Sequence, residues 1–121
     1  MKKFLILLTL LNTCSCDYLR ELNFDKDLAN KINLSFKKER KAIDLPSFTD
    51  FEWDNFIVLG CYQVPDSVGQ KYKIDLSNIS EYATINDSKN VLVFIKNKKS
   101  INICEIDRGI HFTNTKRLIM K

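Results

Sequence analysis

The side chains that could carry out chemistry are few in this 121-residue chain, and most of them lie far apart in its sequence. The chain has four cysteines and one histidine, His111, with no C-x-x-C or H-x-x-x-H pair among them. Metal sites need closely spaced ligands, so the sequence predicts neither a metal nor any other cofactor. It also lacks a glycine-rich phosphate loop and a G-x-S-x-G motif, and we therefore expect a protein that is not an enzyme.

Residues 1–16 have the pattern of a signal peptide for export. Lys2 and Lys3 precede an apolar run over residues 4–11, and polar chain begins at Asp17. A helix of that apolar length reaches about 12 Å, whereas the bilayer core is about 30 Å thick. The run is therefore too short for a membrane span and is typical of a cleaved leader.

Two cysteines at the end of this leader are candidates for lipidation. The segment resembles bacterial lipoprotein signals, in which a small residue precedes a cysteine that is diacylated and becomes the new N-terminus. Cys16 follows Ser15 and fits this pattern better than the alternative, Cys14, which follows Thr13. Two or three acyl chains such as palmitate hold a protein stably on a membrane, so the leader predicts an anchored protein of the cell envelope. A soluble secreted or periplasmic product cleaved near Ser15 is the alternative.

The charge of the chain does not indicate a nucleic-acid partner. Its formal net charge is +4, and +2 remains once Lys2 and Lys3 are removed with the leader. This is ordinary for a soluble domain. The basic run over residues 37–41 could contact anionic lipid head groups, but a solvated helix face is the simpler interpretation.

The two cysteines outside the leader, Cys61 and Cys104, predict a disulfide. Export would place them in an oxidising compartment, where paired cysteines are common. Each lies in an apolar run, FIVLGCY or INICEI. A bond between them requires Cα atoms about 4.4–6.8 Å apart, so it predicts strands that are neighbours or that face each other across the core. Two buried free thiols are the alternative.

The apolar pattern predicts a single α+β domain over residues 42–121, preceded by a short N-terminal helix or tether over residues 17–41. Alternating or continuous apolar runs predict a small, mainly antiparallel sheet of four to five strands. The candidate strands are residues 42–45, 56–62, 71–76, 91–95 and 101–106. We expect strand 56–62 at the centre of the sheet because its apolar run is nearly continuous. Pro65 suits the first turn of a short helix that ends near Gly69.

The segment around the single tryptophan carries a resemblance to a family. IDL at residues 43–45, FEWD at residues 51–54, and then Gly60 and Tyr62 resemble a pattern of small uncharacterised bacterial exported proteins and lipoproteins. That pattern runs IDL, F-x-W-D, a strand and a Gly/Pro-Tyr turn, and Cys61 stands where the proline is usual. The resemblance covers residues 43–112 and implies export, but it implies no activity.

Three residues of this segment are candidates for recognition: Trp53, Asp54 and Tyr62. Trp53 could stack on a sugar or a partner, although a core position is the simpler interpretation. Asp54 could accept a proton from a ligand, although anchoring a nearby backbone turn is simpler.

Taken together, the sequence favours a membrane-anchored envelope lipoprotein that acts as a non-catalytic binding or structural module for an unknown envelope protein. The alternative is an immunity or inhibitor protein that neutralises a toxin or hydrolase in the envelope.

Overall fold

The computed structural model describes residues 21–118 of the chain. These residues form two helices and a three-stranded antiparallel sheet. The leader, with Cys14 and Cys16, lies outside these residues. The elements in chain order are α1 (Lys26–Glu39), a 3-10 turn (Leu45–Ser47), β1 (Asn55–Leu59), α2 (Pro65–Tyr72), β2 (Lys89–Lys96) and β3 (Lys99–Asp107). The predicted α+β class is confirmed. Neither helix of this part is long and apolar enough to cross a membrane.

The strand order is β1-β2-β3, so β2 is the central strand and β1 lies at an edge. The expectation of a central strand at residues 56–62 is therefore wrong. An apolar run shows that both faces of a strand are covered, but it carries no information about its edges. The outer edge of β1 is covered by the C-terminal segment: the Phe56 N–H donates to the Lys116 carbonyl (3.0 Å), and the Leu118 N–H donates to the Phe56 carbonyl (3.0 Å).

Four to five strands are not found among residues 21–118. In segment 42–45, only a single bridge forms, between Ile43 and Phe112. Segment 71–76 begins inside α2, which ends at a left-handed Lys73 (φ 59°). The Ile74 N–H then donates to the Gly69 carbonyl (3.0 Å), and a Cβ on Gly69 would lie 2.7 Å from the Ile74 oxygen. A helix end of this kind mimics the alternation of a short strand.

The β2–β3 hairpin follows directly from its turn residues. Asn97 and Lys98 both have positive φ, 53° and 62°, which is the signature of a type I′ turn. Such a turn matches the right-handed twist of the flanking strands. The pairing shifts by one residue at Phe94/Ile95, where β3 carries a bulge.

The sheet is covered on both faces, each by one helix. The first core lies under α1 and contains Leu28, Ala29, Ile32, Ile43, Leu45, Trp53, Phe56, Leu92, Phe94, Cys104, Ile106 and Phe112. The second core lies under α2 and the loop before β2, and contains Ile57, Leu59, Val68, Leu76, Ile79, Val91, Val93, Ile95 and Ile103.

The helix α1 belongs to the folded domain and does not serve as a tether. Asp25 caps it, its Oδ1 accepting the Leu28 N–H at 3.1 Å. The segment before it is also packed, with Leu22 and Phe24 against the second core. The basic run at residues 37–41 is exposed at the end of α1, which both the solvated-face and the lipid-contact interpretations require.

Candidate functional site

Trp53 lies in the first core with only 4% of its surface exposed. Its Nε1–H donates to Thr49 Oγ1 at 2.8 Å, and its ring makes edge-to-face contacts with Phe94 (5.1 Å) and Phe56 (6.2 Å). The Lys116 ammonium lies 4.7 Å from the ring centroid and donates to the Trp53 carbonyl at 3.2 Å. Neighbouring side chains therefore surround the indole, and Trp53 has the core position that is the simpler interpretation of the sequence.

Asp54 holds the β2–β3 turn. Its Oδ2 accepts the Asn97 N–H at 2.8 Å, and its own N–H donates to the Ile95 carbonyl at 2.7 Å. The left-handed Asn97 begins the type I′ turn, so this bond fixes the hairpin where its backbone is most constrained. The structure thus gives Asp54 the turn-anchoring role.

A cavity of about 360 Å³ opens beside Trp53. Its lining residues are Pro46, Thr49, Phe51, Glu52, Trp53, Asp54, Lys96 and Lys116. Two of its four charges form an ion pair: Lys96 Nζ lies 3.0 Å from Glu52 Oε2, and this hydrogen bond lowers the pKa of the Glu52 carboxyl. The other two have neutral partners, because Asp54 accepts the Asn97 N–H and Lys116 lies over the Trp53 ring. Within residues 21–118 no three His, Cys, Asp or Glu side chains gather in a group that could hold a metal.

Cys61 and Cys104 are both free thiols, so the predicted disulfide is not formed. Cys104 pairs with Leu92 on β2, and β2 separates it from β1 and from Cys61 beyond the end of β1. Strands two positions apart are about 9–10 Å from each other, beyond the reach of a disulfide. The expectation that these strands are adjacent is wrong, because cysteine count and compartment contain no information on strand order. Burial raises the pKa of the Cys104 thiol to about 12, with a smaller contribution from the Asp25 charge.

Tyr62 lies at the other end of the sheet from Trp53 and is 70% exposed. Its N–H donates to the Thr84 carbonyl at 2.8 Å, and Thr84 Oγ1 donates to the Gln63 carbonyl at 2.6 Å. These two bonds join the β1–α2 loop to the loop that precedes β2. Thr84 is buried although the next residue, Ile85, is exposed, so a side chain inside the fold holds the junction.

Both joined loops expose large apolar side chains to solvent. We call this group the tyrosine surface, and its members are Tyr62, Val64, Tyr82 and Ile85. The Ile85 N–H donates to the Tyr82 carbonyl (3.3 Å), which closes a turn and keeps the second pair together. Grouped exposed apolar side chains mark interaction sites more often than single ones do.

The backbone at Tyr62 is held in an unfavourable conformation. Its φ is 64°, in the left-handed region, where a residue other than glycine costs of order 1–3 kcal/mol. The surrounding bonds maintain it, including that from the Gly60 N–H to Gln63 Oε1 at 2.6 Å. Lys73, Asn97 and Lys98 have a similar φ at a helix end and a turn, so this conformation marks Tyr62 as part of a fixed turn.

Carboxylates border the tyrosine surface. Asp66 follows Val64 by two residues, Glu81 precedes Tyr82, and Asp87 follows Ile85 by two residues; all three are exposed. Among the residues that the structure describes, none of the three forms an ion pair. Two basic groups lie near Asp87: the Arg108 guanidinium donates to its carbonyl at 2.9 Å, and Lys89, which pairs with Asp107, follows it by two residues.

Sequence reasoning singled out Tyr62 but missed Val64, Tyr82 and Ile85. The available signal was weak: segment 79–85 contains apolar residues without a helical or alternating period. Only the bonds through Thr84 bring that segment beside Tyr62. Trp53 and Asp54 lie beside the β2–β3 turn, at the other end of the sheet from Tyr62, so the three predicted recognition residues do not form one site.

Neither a family model, nor a curated protein, nor a solved structure matches this chain.

Proposed function

We propose that this chain is a lipid-anchored domain of the bacterial cell envelope that binds a protein through the tyrosine surface and catalyses no reaction. The observation that carries the proposal is the grouping of four exposed large side chains on two loops that hydrogen bonds hold together. Tyrosine is enriched at protein interfaces because it has an apolar body and a hydroxyl that can bond to the partner.

The fixed junction between the two loops favours a binding surface over loops that are merely exposed. A surface that is fixed before binding loses less conformational entropy when a partner docks. Here Thr84 is buried, its hydroxyl donates to the Gln63 carbonyl, and its carbonyl accepts the Tyr62 N–H. The tyrosine side chains are thus presented from a preorganised backbone.

The path of the chain before Phe24 favours an orientation in which the tyrosine surface faces away from the membrane. Phe24 pairs in parallel with Ile103, so the chain before it leads back towards the β2–β3 turn. Leu22 confirms this direction, since its N–H donates to the Asn78 carbonyl and the Asn78 amide donates to the Ser100 carbonyl beside that turn (2.8 Å each). We call this the hairpin end of the sheet.

The tyrosine surface lies at the opposite end. Both β1 and β3 are antiparallel to β2, so they run in the same direction, away from the hairpin turn at the start of β3. Tyr62 follows the end of β1. With a lipid on Cys16, residues 17–21 extend at most about 18 Å, which keeps the hairpin end towards the bilayer. The tyrosine surface then remains accessible to a partner.

Photo-crosslinking in intact cells tests the proposal. A photoreactive phenylalanine analogue replaces Tyr62 or Tyr82 in the full chain, and the matched control carries it at Glu52, an exposed residue at the hairpin end. We expect discrete adducts from both tyrosine positions and none from Glu52. An adduct with an incoming toxin or hydrolase would favour the inhibitor alternative. Absence of any protein adduct from a correctly folded, anchored protein would overturn the proposal.

A further inference from the structure

We propose that the partner of the tyrosine surface is a second copy of this chain, which docks through the exposed side of α1. This inference rests on the proposed protein-binding role and names the partner. It arises from the five large hydrophobic side chains that are exposed within residues 21–118. Four of them form the tyrosine surface, and the fifth, Leu34, stands alone on α1.

Leu34 is 67% exposed on the side of α1 that faces away from the core. The buried residues of the helix are Leu28, Ala29 and Ile32. Lysines at positions 31, 37 and 38 lie three or four residues from Leu34, so they surround it on the same helix face. We call this group, Leu34 with Lys31, Lys37 and Lys38, the Leu34 surface.

The two surfaces are complementary in charge. The tyrosine surface is bordered by Asp66, Glu81 and Asp87, and the Leu34 surface by three lysines. Within residues 21–118 none of these six side chains forms an ion pair. Each surface therefore has an apolar centre and an unpaired charged border, and the signs of the two borders are opposite. Such an arrangement steers two surfaces together and specifies their orientation.

Both surfaces lie towards the end of the sheet that is far from the hairpin turn. Along β3, Asp25 N–H donates to the Ile103 carbonyl (2.8 Å), and Asp107 N–H donates to Asn33 Oδ1 (3.0 Å), so α1 runs alongside β3 towards the end of the sheet far from the hairpin turn. Leu34 is next to Asn33 and is thus level with Asp107. On β1, Leu59 is level with Glu105 through Val91, and Tyr62 lies three residues further.

The surfaces also lie on opposite faces of the sheet. The Leu34 surface is on α1, which covers the first core, and Val64 and Tyr82 belong to the loops that border the second core. Copies anchored in one membrane can meet through one shared surface or through two different ones. Two copies of the tyrosine surface would bring carboxylates together, and two copies of the Leu34 surface would bring lysines together, so the charges favour contact between the two different surfaces. A contact between different surfaces is heterologous, and it produces a row or a ring of copies rather than a closed dimer.

Charge reversal in intact cells tests this arrangement. Copies of the full chain carry the photoreactive analogue at Tyr82. One variant has Lys37→Glu and Lys38→Glu, and the other has Asp66→Lys and Glu81→Lys. All four positions are exposed, but Lys37 and Lys38 lie in the last turn of α1 and Asp66 in the first turn of α2. Their reversal opposes the helix dipoles, so each variant is expected to unfold at a slightly lower midpoint than the parent and is first checked to be fully folded under the assay conditions.

We expect the parent to give a ladder of adducts at multiples of the chain mass. In each variant alone, the yield of these adducts should fall at least about tenfold, because like charges then face each other. Co-expression of the two variants should restore it, since each surface of one then meets an oppositely charged surface of the other. A ladder that neither charge reversal reduces would overturn the inference. An adduct with a different protein and none between copies would overturn it too, while leaving the proposed protein-binding role intact.

Discussion

Replacing Trp53 by alanine tests whether the first core depends on this side chain. The indole is almost fully buried against Phe94 and Phe56. Truncating a buried aromatic residue to alanine costs about 3–5 kcal/mol. Small domains have a total free energy of unfolding of about 5–15 kcal/mol, so the loss is a large part of the total. We expect urea denaturation to show a midpoint lowered in proportion, with an unchanged slope.

Two matched variants divide this cost into its parts. Thr49→Val leaves the buried indole N–H of Trp53 without its acceptor and should cost about 1–3 kcal/mol. Lys116→Ala removes the ammonium over the ring and, as the contact of an exposed lysine, should cost about 0.5–1 kcal/mol. The predicted order is Trp53→Ala, then Thr49→Val, then Lys116→Ala. A Trp53→Ala protein that unfolds at the parent's urea concentration would refute the argument and would return Trp53 to the candidates for ligand contact.

Three further outcomes are expected. Mass spectrometry without reductant should find Cys61 and Cys104 as free thiols. Cys61 should be alkylated in the native protein and Cys104 only after unfolding, because Cys104 is buried and its thiol pKa is raised to about 12. A mass that indicates a disulfide between them would contradict the strand order. Metabolic labelling with a clickable palmitate analogue should be lost in Cys16→Ser, and a retained label would point to the other leader cysteine or against lipidation. In Ser77→Ala, NMR titration should show a higher pKa for Asp75, because the Ser77 hydroxyl bond lowers it. The stability from this lowered pKa is present above the unfolded-state pKa of Asp75 and lost as the pH falls through the folded-state value, so variant and parent should converge in acid.

Features set by local chemistry could be predicted from the sequence. Asp25 is the kind of residue that caps a helix, and α1 begins directly after it. Pro65 begins α2 at its first helical position. The hairpin at Asn97 follows from the continuous apolar run over residues 91–95 and the alternating run over residues 101–106. In each case, neighbouring residues alone determine the element.

Features set by distant contacts could not be predicted. The edge position of β1 depends on the C-terminal segment that bonds to Phe56, and periodicity reports faces rather than edges. The separation of Cys61 from Cys104 depends on strand order. The tyrosine surface depends on the bonds of Thr84, which join two loops that are distant in sequence. Recognition residues of this kind have no local pattern.

The central claim is that the tyrosine surface binds a protein and does not serve to stabilise the fold. It is tested most directly by measuring the adduct from a photoreactive analogue at Val64 in two proteins, the parent and a Tyr62→Ser, Tyr82→Ser variant. Both tyrosines are largely exposed, so their loss should change the free energy of unfolding by no more than about 0.5 kcal/mol. We predict that the variant keeps the parent's urea midpoint and loses the adduct. An adduct of undiminished yield in the folded variant would contradict the claim.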